Sequence, residues 1–524
     1  MSQGRFLTGS TMGHVVRMTA TGAFGITFVF LVDAANLFWL SQLGEPQLVA
    51  AIGFAYAIQF FSVSSGVGLM IAATALVSQR IGEGNPSQAR AQAGAALVTA
   101  TAMQGGVATL VFAFRHELVA LAGAEGETAR LAARYLGQTV WSLMPMAVAL
   151  IASGTLRAEG YGAKAMYVTL TSGAVLMVID PIFIIWWGMG LDGAALGLTL
   201  FRFSLMGLAL FFASVQLDLI ARPDWASMRA TFAPYMAVAL PAIATQMATP
   251  AGNYLLTIVM APFGDDAVAA WAVVSRHTVL AFGGIFALSG AIGGIFGQNY
   301  GAGLYPRLRS TYRDALIFCL LYTLVMWGVL LAATPLIIDA FGLGGQGAEV
   351  LRGFTRVGVG GFVFVGALFV ASAAFNNLGQ PLRSTLIGWL KDGVLSWPAA
   401  AWLATGFGAA GVIYGQALAG ALVGGLAALW GWRYVARLGP DANVATAPVR
   451  PWPNIDRYRR RRCPHGPPSP PCKARHRPNV WAMRWKRWSL HQPASACSRS
   501  KTARAYGKWA DILRKTRTRP RCCC

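Results

Sequence analysis

The stretch LVSQRIGEGNPSQAR (residues 76–90) returns, altered but in register, as GIFGQNYGAGLYPRLR (residues 294–309). Gln79, Gly82, Gly84 and Arg90 fall on Gln298, Gly301, Gly303 and Arg309 at one offset of 219 residues. The same offset sets VAAIGFAYAI, from Val49, on VAAWAVVSRH, from Val268, and sets Gly160 on Gly379. Three separate matches in one register indicate an internal duplication. Outward from the repeat, apolar segments long enough to span a bilayer, roughly 20 residues, occur near 17–42, 48–78, 92–114, 131–156, 165–187, 193–215, 232–262, 267–297, 314–338, 353–378, 384–404 and 409–436. The expected fold class is therefore an all-α integral membrane protein with twelve transmembrane helices in two pseudo-symmetric six-helix bundles. The bundles are expected at 1–215 and 232–437, joined by a cytoplasmic linker at 216–231. An even number of spans per half gives both halves one orientation, with a pseudo-twofold axis along the membrane normal and a cleft between them.

Composition agrees with lipid as the solvent: 55% of residues are hydrophobic and 12% charged, and the mean hydropathy is +0.51. The net charge of +23 is no sign of a nucleic-acid partner, because it is concentrated in a tail. Residues 441–524 hold 21 of the 43 Lys and Arg but only 3 of the 20 Asp and Glu. Within the body, Arg80, Arg90, Arg157, Lys164, Arg222, Arg307 and Arg383 all fall on one side of the expected topology, against Arg115, Arg130 and Arg352 on the other. Lys and Arg collect on the cytoplasmic side, which places both termini there. No cleavable signal segment is expected at the amino terminus. Cys319 alone of the seven cysteines lies in the body, so no disulfide framework is expected. The segment 438–524, with YRRRRCPHGPPSPPCKARHRP and a closing CCC, is expected to be a disordered extension without an evolved function. Its Cys463, His465, Cys472 and His476 lack a zinc-site spacing, and no metal is expected.

Charge inside a bilayer is costly and marks function by default. Asp33 lies in the first span with Asn36 three residues on, the same helix face, so a carboxylate and an amide oxygen could converge on one cation. Asp180 lies in the fifth span, where Pro181 removes a backbone N–H and frees a carbonyl near Met177. With one inserted residue the repeat sets Asp33 on Asn253, so the amino-terminal half is expected to hold the coupling ion and the other half to shape the cleft. Gln246 and Asn253 are candidate cavity residues. Lys391 and Asp392 are adjacent, and adjacent helical residues do not face each other, so they are not expected to pair. His14, His116 and His277 are isolated in sequence, which argues against an enzyme.

The paired Q-x-x-G-x-G segments, VDAANLFWLSQLG (residues 32–44), IDPIFI (residues 179–184) and GLDGAALG (residues 190–197) together resemble the multidrug and toxic compound extrusion family over about residues 15–437. The resemblance implies a secondary antiporter of a bacterial inner membrane, monomeric, which expels cationic or amphipathic small molecules in exchange for protons or sodium ions and needs no further cofactor. It implies family-motif loops at Gln79, Gly82, Gly84, Gln298, Gly301 and Gly303, and essential acids at Asp33 and Asp180, as in the branch of DNA-damage-inducible exporters. Positions where the NorM-like branch carries acids look like Thr249 and Val365. Two ligand positions of the family look like Leu176 and Leu198, with Thr199 adjacent; fewer oxygens favour a proton over sodium. The Leu-Pro that often kinks the first helix is missing, since Leu240 and Pro241 fall on Ala20 and Thr21; Gly22 and Gly25 still permit bending. The alternative is a lipid-linked saccharide flippase of a related fold. It would want several Arg or Lys in the cavity and two further helices, neither of which the sequence shows.

Overall fold

The computed structural model describes residues 4–439; apart from Leu438 and Gly439, the expected tail lies outside the described residues. Fifteen α-helices account for most of them: α1 Thr11–Ser41, α2 Pro46–Gly82, α3 Pro86–Ala113, α4 Arg115–Leu121, α5 Gly126–Thr139, α6 Leu143–Ala158, α7 Gly162–Pro181 and α8 Gly190–Leu210 in the first half. The second half holds α9 Trp225–Met260, α10 Asp265–Gly301, α11 Tyr305–Ala340, α12 Gly345–Arg356, α13 Phe362–Asn377, α14 Pro381–Trp389 and α15 Ser396–Arg437.

Local chemistry sets the ends of these helices. Asn85 caps α3 by accepting from the Gln88 amide at 3.2 Å, with Pro86 in the first turn, and Asp224 and Ser227 form a capping box at the start of α9. The two repeat loops close their preceding helices identically. Gly84 and Gly303 follow α2 and α10 with φ of 73° and 68°, and the amides of Asn85 and Leu304 reach back to the Arg80 and Asn299 carbonyls at 3.0 and 2.9 Å. This is the glycine-terminated Schellman arrangement, which needs a residue without Cβ penalty at the left-handed position.

Among the described residues, ten helical stretches are long and apolar enough to cross a membrane, against twelve expected. The difference has two causes. The last stretch, Pro381–Arg437, runs 57 residues and is broken at Gly408 (φ 60°, ψ −148°), so it counts once although it contains two helical runs. Helix α9, 36 residues long, is diluted by Pro234, Pro241, Pro250, Gln246 and Asn253. Large apolar side chains such as Phe24, Leu110, Trp186, Val215, Leu336 and Trp402 are exposed around the body. A surface this apolar suits lipid better than water.

The interior forms two large apolar clusters. One is drawn from Val32 to Ala213, and the other from Leu256 to Leu438 together with Phe6, Val15 and Met18 of the amino-terminal segment. Between them the helices cross in exchange: α1 packs on α10 and α2 on α9, the repeat partner in each case contacting the other's neighbour, while α2 and α10 pack on one another.

Candidate functional site

The first centre is a carboxylate–amide pair between α1 and α7. Asn36 Nδ2 donates to Asp180 Oδ2 at 2.7 Å, and the two residues are 3% and 1% exposed. The remaining oxygen of each, Asn36 Oδ1 and Asp180 Oδ1, is buried without a hydrogen-bond partner. Asp33 is half-buried, one turn before Asn36, and near enough to Asp180 and Arg202 for their charges to bear on it. Helix α8 is admitted to this site by Gly197, where any Cβ would run into Asp180 Oδ1. The buried Leu176 and Leu198 offer no oxygen. Unpartnered buried oxygens are expensive, and a proton or a small cation is the group that satisfies them.

A second charge beside this pair, Arg202, was not singled out in the sequence. Arg202 on α8 is 4% exposed; its Nη2 donates to Gln59 Oε1 at 2.7 Å, and its Nη1 to Ser142 Oγ at 2.8 Å and to the Thr139 carbonyl at 3.4 Å. Gln59 Nε2 in turn donates to Thr139 Oγ1 at 2.7 Å. The signal was present, since Arg202 sits mid-span between two phenylalanines. Arg157, read from the sequence as a charge at the cytoplasmic end of a span, stands in the last turn of α6 and is a further cation of the helical body.

The repeat motifs meet at the face of the molecule where Phe6 and Leu438 lie. They were expected as loops; Gln79, Gly82, Gln298 and Gly301 instead occupy the last turns of α2 and α10, and only Gly84 and Gly303 lie beyond them, because the helices run on until the left-handed glycine stops them. Gly82 packs on the Gln298 carbonyl and Gly301 on the Gln79 carbonyl. Gln79 Nε2 donates to the Asn377 carbonyl at 2.6 Å, and Gln298 Nε2 to the Ala158 carbonyl at 2.6 Å. The amino-terminal segment seals the same place. The Phe6 amide donates to Gln298 Oε1 at 3.0 Å, and Arg307 donates to the carbonyls of Phe6, Thr8 and Gly9.

Gln246 is half-buried and Asn253 exposed on α9, and neither side chain is hydrogen-bonded to another described residue. Lys391 and Asp392 do pair, against expectation, and Thr249 Oγ1 donates to Asp392 Oδ2 at 3.3 Å. They lie in a π-helical turn, Leu390–Leu395, whose i→i+5 bonding puts more residues in each turn and so brings consecutive side chains closer in angle than an α-helix does. Among the described residues no group of His, Cys, Asp and Glu is arranged to hold a metal.

A duplicated all-helical body with exposed apolar flanks, a buried carboxylate–amide pair and a closure built from both copies defines a multi-pass membrane transporter. The chain belongs to the MatE family, whose profile matches twice, at residues 23–182 and 241–400. It is 24% identical over 406 residues to a protein of Shewanella oneidensis named "FAD transporter", covering 75% of this chain and 89% of that one. It is 24% identical over 259 residues to the multidrug export protein MepA of Staphylococcus aureus, covering 46% and 54%. Its fold matches a solved outward-facing multidrug resistance MATE family transporter with a TM-score of 0.78 at 21% identity, over 83% of this chain and 98% of that one. Members of this family are transporters, not enzymes.

Proposed function

We propose that the chain is a secondary antiporter that exports cationic or amphipathic small molecules in exchange for protons or sodium ions. Twelve spans, counting α9 and both sides of the Gly408 break, form two six-helix bundles, and alternation between them moves the substrate. The observation that carries this reading is the Asn36–Asp180 pair with its two unpartnered buried oxygens, next to Asp33. Leucine at 176 and 198 leaves few ligands, which favours a proton. Placement of the acids in the amino-terminal half, with Thr249 and Val365 where the NorM-like branch carries acids, supports the DNA-damage-inducible branch. The Arg and Lys distribution supports cytoplasmic termini in a bacterial inner membrane, and the motif face is then the cytoplasmic one, closed in this structure. Coupling requires ion and substrate to bind the open and closed forms with different affinity.

Dye efflux from proteoliposomes under an imposed proton or sodium gradient tests this. Loss of gradient-driven efflux in Asp33→Asn and Asp180→Asn, with the thermal midpoint retained, supports the reading; full efflux by both variants sinks the site assignment. A second reading, export of a dinucleotide, is favoured by the Shewanella relative, matched over 89% of its length. Release of loaded FAD from the same vesicles, without dye efflux, would put it first.

A further inference from the structure

One interior cation serves neither the coupling pair nor the closure. Arg157 stands in the last turn of α6, and its side chain is half-buried. Its one side-chain hydrogen bond runs from Nη1 to Met70 Sδ at 3.4 Å, and a thioether is a weak acceptor. The more deeply buried Arg80 and Arg202 have oxygen partners: Arg80 has Glu83 at 2.6 Å, and Arg202 has the three oxygens described above. For Arg157, no carboxylate among the described residues comes within 4.0 Å.

Its position is central. Met70 precedes Gly82, the end of α2, by twelve residues, about 18 Å along the axis at 1.5 Å per residue. The guanidinium therefore reaches inward from the closure, not toward the carbonyls of its own last turn, where a cation placed for the helix dipole would sit. Met70 and Thr74 face Ser289, Gly290 and Gly293 of α10 and Asn377 of α13 around a small cavity between the halves. The Ser289 hydroxyl is not hydrogen-bonded to any described residue. Asn377 is 2% exposed, and its Nδ2 donates one N–H to the Ala373 carbonyl at 2.8 Å, which leaves the other available. The region thus holds one cation without an oxygen partner beside two donors that can still give a hydrogen bond, the Ser289 hydroxyl and the second N–H of Asn377.

We propose that Arg157 binds an anionic group, a carboxylate or a phosphate, at the inner end of the cleft, with the Ser289 hydroxyl and the free N–H of Asn377 as neutral donors. Arg is suited to this because its planar fork meets two oxygens at once. As a substrate site, this rests on the transporter reading above; it extends the exported class from cations to amphipathic compounds with an anionic end. An anionic lipid headgroup carries the same chemistry.

The test uses the full chain in phosphatidylcholine proteoliposomes, with fluorescein as the anionic probe and ethidium as the cationic one. Fluorescein binding is measured by anisotropy, and efflux of both dyes separately. Arg157→Met and Arg157→Gln are expected to weaken fluorescein binding at least tenfold while ethidium efflux and the thermal midpoint hold; Arg157→Lys retains most of the binding. Adding phosphatidylglycerol separates the two occupants. Competition seen in the wild type and absent in Arg157→Met supports the site with a headgroup in it, whereas no competition supports a soluble compound. No fluorescein binding by the wild type, or equal binding by the neutral variants, overturns the proposal. Fluorescein binding that depends on Arg157 without efflux of either dye supports the anion site and counts against transport alone.

Discussion

Gln79 and Gln298 make one bond in two directions: each donates from Nε2, at 2.6 Å, to a backbone carbonyl at a helix end in the opposite half of the molecule. The donors are 219 residues apart, and so are the acceptors, Ala158 and Asn377. A duplicated sequence has produced a pseudo-twofold clasp in which each half closes on the other's α6 or α13 terminus. Gly82 and Gly301 complete it, because any side chain at either position meets the partner helix's carbonyl.

Gly82→Ala and Gly301→Ala are therefore expected to wedge α2 from α10. Each costs about 1–3 kcal/mol, the usual penalty for overpacking a tight contact, and shifts the protein toward its cytoplasm-open form. Thermal unfolding in detergent and thiol labelling of a cysteine placed at Asn377 would show both effects. Equal labelling in wild type and variants would rule the clasp out as a gate.

Gly197→Ala places a methyl against Asp180 Oδ1. The carboxylate must then leave Asn36, and gradient-driven efflux is expected to fall more than tenfold while the protein still folds. Gly207→Ala, on the same helix with open space around it, is the control and should transport as the wild type does.

Restoring oxygens near Asp180 should alter ion preference. Leu176→Asn combined with Leu198→Thr adds two ligands where the site is now apolar, so sodium-driven efflux is expected to rise relative to proton-driven efflux. An unchanged ratio would mean that ligand number does not set the choice of ion.

Arg202→Met leaves Gln59 Oε1 and the Thr139 carbonyl without this donor in a buried setting. The expected loss is about 3 kcal/mol of stability, read as a lower thermal midpoint, with partial recovery in Arg202→Lys.

Glu159, just beyond α6, is pushed above its ordinary value of 4.5 by burial, with Arg5 pulling the other way. The folded chain then holds this proton more tightly than the unfolded chain. Stability is expected to decline as pH rises from the ordinary glutamate value through the raised one. Glu159→Gln should flatten that part of the profile of thermal midpoint against pH.

The duplication, the helical class and the membrane habit were legible in the sequence, because apolar run length and constant offset are local properties of a chain; intramembrane charge singled out Asp33 and Asp180 as candidates in the same way. Which oxygen meets which donor was not. Asn36 was expected to turn its amide oxygen toward a cation shared with Asp33; that its Nδ2 reaches Asp180, 144 residues distant, depends on α1 packing on α7. The Lys391–Asp392 pair depends on a π-helical turn that no periodicity announces. Arg202 and Arg157 could be placed on helices from sequence, but whether a guanidinium meets a cage of oxygens or a single thioether depends on how separate helices rotate and pack. The sequence by itself determined where helices run and that there are two copies. Tertiary packing decided which buried polar groups are satisfied and which remain open to an ion or a substrate.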